Sequence, residues 1–158
     1  MRIIGIDPGI GILGFGVIQV KGAKTELVTA GVITTPAHTP TYDRLLEIYD
    51  GLTEIVRETQ PDVMSIEKLY FNRNVTTAID VAEARGVAML VGRQAGLRLE
   101  EYTPLQIKHS MTGYGRATKK QMQEMVRMQL GLTEVPKPDD CADALAAAII
   151  CAFTLRVS

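Results

Sequence analysis

Four carboxylates stand where a folded chain could bring them together. Asp7 closes the apolar run RIIGID, and Glu67 closes VMSIE in the same way. Asp140 and Asp143 lie three positions apart in PDDCADALAAAII, a spacing that puts both on one face of a helix. Asp143 falls in the most apolar stretch of the chain, where an ionised side chain needs a partner or a metal. A helix N-terminus also favours carboxylates through its dipole. Each acid alone has a plainer reading: Asp140 or Asp139 as a helix cap, Glu67 as a surface acid, Asp7 as a turn former ahead of Pro8-Gly9. Together they point elsewhere, because three separated segments bring acids to strand ends or a helix start with no equal supply of bases beside them. Carboxylates at close quarters raise one another's pKa unless cations neutralise them. Oxygen-only donors without His or Cys select Mg²⁺, with Mn²⁺ as a substitute. Two such ions about 4 Å apart activate a water and stabilise the leaving oxygen in phosphodiester hydrolysis. That chemistry needs no covalent nucleophile, and no convincing Ser/His or Cys/His set is present.

The elements that must position these acids are readable from hydrophobic period. Residues 2 to 7, 13 to 20 and 25 to 34 read as consecutive strands, with Gly22-Ala23 as a hairpin turn and an antiparallel start. Leu45, Ile48, Tyr49, Leu52, Ile55 and Val56 then follow helical spacing, with acids on the other face and Pro61 ending the helix. A short strand is expected over Val63 to Glu67, a polar loop over Tyr70 to Asn74, and a long helix from about Thr76 to Gly96. Arg98 to Tyr102 is strand-like, and Thr103-Pro104 opens a short helix that Gly113-Tyr114-Gly115 breaks. Helices follow over about Thr118 to Leu130 and Asp139 to Phe153, the last apolar nearly all round and therefore buried. The sum is β-β-β-α-β-α-β-α-α-α, an α/β chain with a mixed sheet flanked by helices, expected as a single domain over 1–158.

Gly9-Ile10-Gly11-Ile12-Leu13-Gly14 matches the spacing of a dinucleotide-binding turn. That motif requires a helix after the glycines, because the helix N-terminus binds the pyrophosphate. Here Phe15-Gly16-Val17-Ile18 follows, a strand sequence, so the glycines suit a turn between antiparallel strands. Composition is ordinary, at 46% apolar and 22% charged, and no apolar run is long enough to span a bilayer, so a cytoplasmic protein is expected. Cys141 and Cys151 lie about 15 Å apart along one helix and are expected as reduced thiols. Net charge is −1, yet charge is sorted along the chain. Asp43 to Asp62 holds six acids against Arg44 and Arg57, while Lys108 to Arg127 holds five bases against Glu124. Such sorting either makes one basic face or leaves two ordinary solvated surfaces.

Four motifs, GIDPG with Asp7, SIEKLYF with Glu67, GYGRATKKQMQEMV and DDCADALAAAI, occur in register over nearly the whole chain. In this the sequence resembles the RuvC family, the crossover (Holliday) junction endodeoxyribonucleases of bacteria. The resemblance implies an RNase H-like fold with a five-stranded mixed sheet. It implies a homodimer that binds a four-way DNA junction and symmetrically nicks two strands of like polarity in recombination and repair. It also implies a RuvA-RuvB branch-migration complex as partner. Asp7, Glu67, Asp140 and Asp143 fall on the family's metal-binding tetrad, implying two Mg²⁺ ions. Lys108 and Lys119 fall on basic positions near the catalytic centre, and Tyr70, with Phe71 beside it, on an aromatic position used for stacking at the junction. Lys68, Arg73, Arg116 and Lys120 complete the expected DNA-binding set. Two departures, Ile10-Gly11 after Asp-Pro-Gly and Lys68 after Glu67, bear on metal tuning and sequence preference. The residues themselves agree in places: an aromatic pair in a polar loop suits stacking on an unpaired base, although such a loop can also fold back on the core. Lysines and arginines tracking phosphates make binding salt-dependent. The helix from Thr76, through Ala78, Ala82, Val87 and Leu90, either forms a dimer interface or packs on the sheet. Rival readings are a related nuclease that processes ribosomal RNA precursors, an actin-like nucleotide-binding module, and a non-catalytic junction binder.

Overall fold

Hydrophobic runs that do not alternate predict strands covered on both faces, and that is how the sheet is built. The computed structural model describes residues 1–69 and 75–157. In it β1 (Arg2–Asp7), β2 (Ile12–Lys21) and β3 (Lys24–Thr34) form an antiparallel meander, and β2 turns into β3 through Gly22-Ala23 with Gly22 at φ 56°. There follow α1 (Thr41–Thr59), β4 (Val63–Glu67), α2 (Val75–Gln94), β5 (Arg98–Tyr102), α3 (Pro104–Thr112), α4 (Lys119–Gln129) and α5 (Asp139–Val157). The order is the one expected from the sequence; the main boundary difference is that α5 runs past Phe153 to Val157. The five strands lie in the order β3-β2-β1-β4-β5, with β4 parallel to both neighbours, so the sheet is mixed as expected. No helix among the described residues is long and apolar enough to cross a membrane.

Two cores lie on opposite faces of this sheet. Ile3, Ile18 and Val63 pack with Leu145 and Ile149 of α5, beneath Met111 of α3 and Val126 of α4. Ile4, Ile6, Val17, Met64 and Ile66 pack with Ile48 and Leu52 of α1 and with Ala84 and Ala88 of α2. Helix α5 is therefore sandwiched between the sheet and two further helices, which explains why it carries no polar face. Cys141 and Cys151 are buried in it as free thiols. The acid-rich α1 lies on one face and the base-bearing α3 and α4 on the other, so the sheet itself separates the charges.

Glycines let α5 come close. A Cβ added at Gly5 would lie 1.9 Å from the Ala144 carbonyl oxygen, and one at Gly14 only 2.2 Å from that of Asp140. The apparent nucleotide motif thus divides in two: Gly9 closes the turn tightly against Ile12, whereas Gly14 belongs to β2 and admits the start of α5. On α2, the fully buried stripe is Ala84, Ala88 and Val91, whereas Ala78, Ala82 and Val87 are half-buried and Leu90 is 52% exposed.

Candidate active site

Side chains alternate across a strand, and that alternation aims the two strand-end acids. In β1, Ile4 and Ile6 face α1 and α2, while Ile3 and Gly5 face α5, which sends Asp7 toward α5. In β4, Met64 and Ile66 face α1 and α2, while Ser65 donates to the Ala147 carbonyl of α5 at 2.5 Å. Glu67 is in phase with Ser65 and points the same way. The parallel register Gly5↔Ser65 and Ile6↔Ile66 brings Asp7 and Glu67 to adjacent strand ends. Helix α5 crosses this face with its N-terminus over Gly14, the residue paired with Asp7. Asp140 and Asp143, on its first turns, therefore arrive at the same edge.

The electrostatics follow from that convergence. Asp7 is pushed from its usual 3.8 up to about 7, first by burial and then by the charges of Asp143, Asp140 and Glu67, with Lys119 opposing. Burial and Asp143 also raise Glu67, and Lys108 opposes them. Asp143 is raised by burial against the pull of Lys119. The Lys119 ammonium lies 3.2 Å from Asp143 and 3.5 Å from Asp139. A cleft of about 270 Å³ opens here, lined by Glu67, Lys108, Lys119 and Asp143 among others. Among the described residues, no three or more His, Cys, Asp or Glu side chains are assembled as a metal-holding cluster. The donor set nonetheless suits a hard divalent cation in kind, being all oxygen, anionic and partly desolvated.

Both lysines are placed by capping boxes. Thr103 accepts from the Gln106 amide while Gln106 reaches back to the Thr103 amide, fixing the first turn of α3 and hence Lys108. Thr118 and Gln121 do the same for α4, with Lys119 as its first residue. Arg116, Lys120 and Lys68 are exposed around the cleft's elements, whereas Arg127 is tied to Glu124 and to the Leu132 carbonyl. Tyr70, Phe71 and Arg73 lie outside the described residues. Sequence reading passed over Ser65, visible only as a hydroxyl inside an apolar strand. It also passed over the two T-x-x-Q boxes, and Arg85, whose Nε donates to the Glu67 carbonyl at 2.9 Å. Arg44 was counted only for its charge; its Nε donates to Thr35 at 2.8 Å, and Thr35 in turn donates to the Ile10 carbonyl in the loop after Asp7.

Comparison with known proteins agrees with this geometry. The family model described as crossover junction endodeoxyribonuclease RuvC matches residues 3–151. The RuvC endonuclease of Desulfitobacterium hafniense is 52% identical over 157 residues, covering 99% of this chain and 95% of its own. That of Chloroflexus aggregans is 51% identical over 154 residues, covering 98% and 94%. Among solved structures, T. thermophilus RuvC in complex with a Holliday junction substrate superposes with a TM-score of 0.94 at 37% identity, covering 99% of this chain and 96% of that one. Fowlpox virus resolvase, at 14% identity and a TM-score of 0.61, shares the fold alone. With acids converging from β1, β4 and α5 beside two capped lysines, and with the match running from Ile3 to Cys151, this chain belongs to the RuvC crossover junction endodeoxyribonuclease family.

Proposed function

We propose that Asp7, Glu67, Asp140 and Asp143 form the catalytic, metal-holding set with which this chain cleaves junction DNA. Membership of the family makes the chain a metal-dependent nuclease that nicks four-way DNA junctions in recombination and repair. The observation that carries the residue assignment is the convergence of Asp7 and Glu67, at adjacent strand ends, with Asp140 and Asp143 on the first turns of α5; burial and the other three acids raise Asp7 there to about 7. A carboxylate so destabilised in its charged form gains most from a cation. Two Mg²⁺ or Mn²⁺ ions held there would supply a water of lowered pKa and charge stabilisation at the leaving oxygen. Lys119 neutralises Asp143 and offers an ammonium at the mouth of the cleft for a phosphate oxygen. Lys108 lowers the cost of ionising Glu67 on the other wall.

Lys68, Arg116 and Lys120, all exposed, serve as phosphate contacts, and Tyr70, Phe71 and Arg73 as the stacking and backbone contacts at the junction. Symmetric nicking of strands of like polarity requires two sites related by a two-fold axis, hence a homodimer. Ile79 and Leu90 on α2, each 52% exposed, with Gly86 open between them, support α2 as the contact between copies. The RuvA-RuvB complex is the proposed branch-migration partner, by family alone. The test offers purified protein a labelled four-way junction, a linear duplex and a structured RNA with Mg²⁺. Paired nicks restricted to the junction are expected, with Asp7→Asn binding the junction but not cutting it. Full cleavage by Asp7→Asn overturns the carboxylate assignment, and RNA cleavage favours the ribosomal-RNA-processing relative.

A further inference from the structure

Glu67 stands where the sheet stops holding the chain. Pairing of β4 with β1 runs to Ile6↔Ile66, and with β5 to Glu67↔Tyr102. One further bond, from the Lys68 amide to the Tyr102 carbonyl at 2.8 Å, follows. The Glu67 carbonyl is met from the opposite side of the sheet, by α2. Arg85 Nε donates to it at 2.9 Å, and the same guanidinium pairs through its NH2 group with the Glu101 carboxylate of β5. The Arg85 side chain is only 16% exposed, which leaves it little access to a DNA phosphate. A guanidinium is a rigid planar fork, so two acceptors at its edges fix its plane and, through it, their own separation. Charge-assisted bonds of this kind are the strong ones. Turning the Glu67 peptide would re-aim its Cα–Cβ bond, and with it the carboxylate on the α5 face.

We propose that Arg85 is a positioning residue for the junction-cleaving reaction: it clamps the Glu67 carbonyl to Glu101 and so holds the Glu67 carboxylate toward Asp7 and Asp143. The inference rests on the reading of Glu67 as a metal ligand. It differs from a stabilising ion pair in what it controls, namely metal affinity from the far side of the sheet. Lysine at this position supplies a charge that reaches one acceptor but cannot hold both in a fixed plane. Outer-shell changes of this kind typically cost about 10–100-fold in metal affinity or activity.

The experiment compares the full chain with Arg85→Lys, Glu101→Gln and Glu67→Gln. Mn²⁺ binding to the protein alone is followed by electron paramagnetic resonance. Single-turnover cleavage of a labelled junction is followed across a Mg²⁺ titration, junction binding is measured in EDTA, and thermal melting is recorded. Arg85→Lys is expected to weaken Mn²⁺ binding and raise the half-saturating Mg²⁺ concentration about tenfold or more. Its junction affinity in EDTA stays unchanged. Glu101→Gln, which keeps an acceptor but loses the charge, shows the same shifts at smaller size and keeps the test open if Arg85→Lys fails to fold. A lower melting temperature with unmoved metal midpoints overturns the proposal, leaving Arg85 a structural ion pair. A parallel loss of junction affinity in EDTA also overturns it, making Arg85 a DNA contact. If Glu67→Gln cleaves normally, the ligand reading itself fails; if only Glu67→Gln is impaired, the clamp alone fails.

Discussion

Replacing Gly14 by alanine tests whether the approach of α5 to the sheet sets the chemistry as well as the stability. The added Cβ would lie 2.2 Å from the Asp140 carbonyl oxygen, 2.6 Å from its carbonyl carbon and 2.9 Å from its Cβ. All three atoms belong to one proposed metal ligand, and two are backbone, so no side-chain rotation relieves the clash. Ordinary contact needs about 3.5–4.0 Å, so β2 and the start of α5 must part by about 1 Å or more. Overpacking of this kind costs about 1–3 kcal/mol, offset by the about 0.4–1 kcal/mol that alanine gains from a less free unfolded chain. At about 2–4 °C per kcal/mol for a domain of this size, the melting temperature falls by at most about 12 °C. Gly14 pairs with Asp7, so the same displacement separates Asp140 from Asp7. A misplacement of about 1 Å can cost 100-fold in rate, and a loss of that order is expected in single-turnover junction cleavage measured well below the melting point. Gly31→Ala is the control: its Cβ would lie 2.9 Å from the Phe15 ring, on the α1 face of the sheet and so opposite the acids, and it should lower stability without slowing cleavage per folded molecule. If Gly14→Ala cleaves at the wild-type rate once folded, the helix approach sets stability alone and the reasoning fails.

An acid whose folded pKa lies above its usual value stabilises the fold fully only below that value, 3.8 for Asp7, and the contribution is lost as pH rises through about 7. Metal-free Asp7→Asn should therefore gain melting temperature over wild type at pH 8 and lose that advantage by pH 4, as circular dichroism melts would show; an equal difference at both pH values would sink the assignment of this shift. Thr118→Ala removes the bond to the Gln121 amide at 3.2 Å and should cost about 0.5–2 kcal/mol in a denaturant melt. It should also slow cleavage, because Lys119 loses its fixed first turn, whereas Thr103→Ala carries a similar stability cost at α3.

What could be read in advance depended on whether the cause was local. Strand ends at Asp7 and Glu67, the hairpin at Gly22 and the buried α5 all follow from short-range period and turn chemistry, and they stand where expected. The four acids were legible as a set because each closes or opens an apolar element. Gly14 was not legible as a packing residue, since its reason is a helix more than 100 residues later in the chain. Arg85 was equally silent: nothing in the run AEARGVAML says that its guanidinium crosses to a strand end. On α2, Ala78, Ala82, Val87 and Leu90 were open to two readings, interface or sheet packing, because a helix apolar on several sides gives no single phase to choose; they lie beside the buried stripe at Ala84, Ala88 and Val91, with Leu90 52% exposed.

Net charge near zero is compatible with a polyanionic substrate because the sheet partitions the charges. The six acids between Asp43 and Asp62 lie on or next to α1, behind a layer of strands from the cleft. Stacked layers sit about 10 Å apart, comparable to the roughly 8 Å screening length at physiological salt. On the proposed reading, DNA lying on the α3–α4 side would meet the field of Lys108, Arg116, Lys119 and Lys120 with that of α1 largely screened. The proposed carboxylate set is the exception, anionic charge placed on the basic side. Burial and mutual repulsion raise Asp7, Glu67 and Asp143 alike, so these acids carry their full charge only at an energetic cost. A divalent cation would remove that cost while turning the acidic centre into one that attracts phosphate. Metal loading and DNA binding are thus expected to reinforce each other at one edge of the sheet.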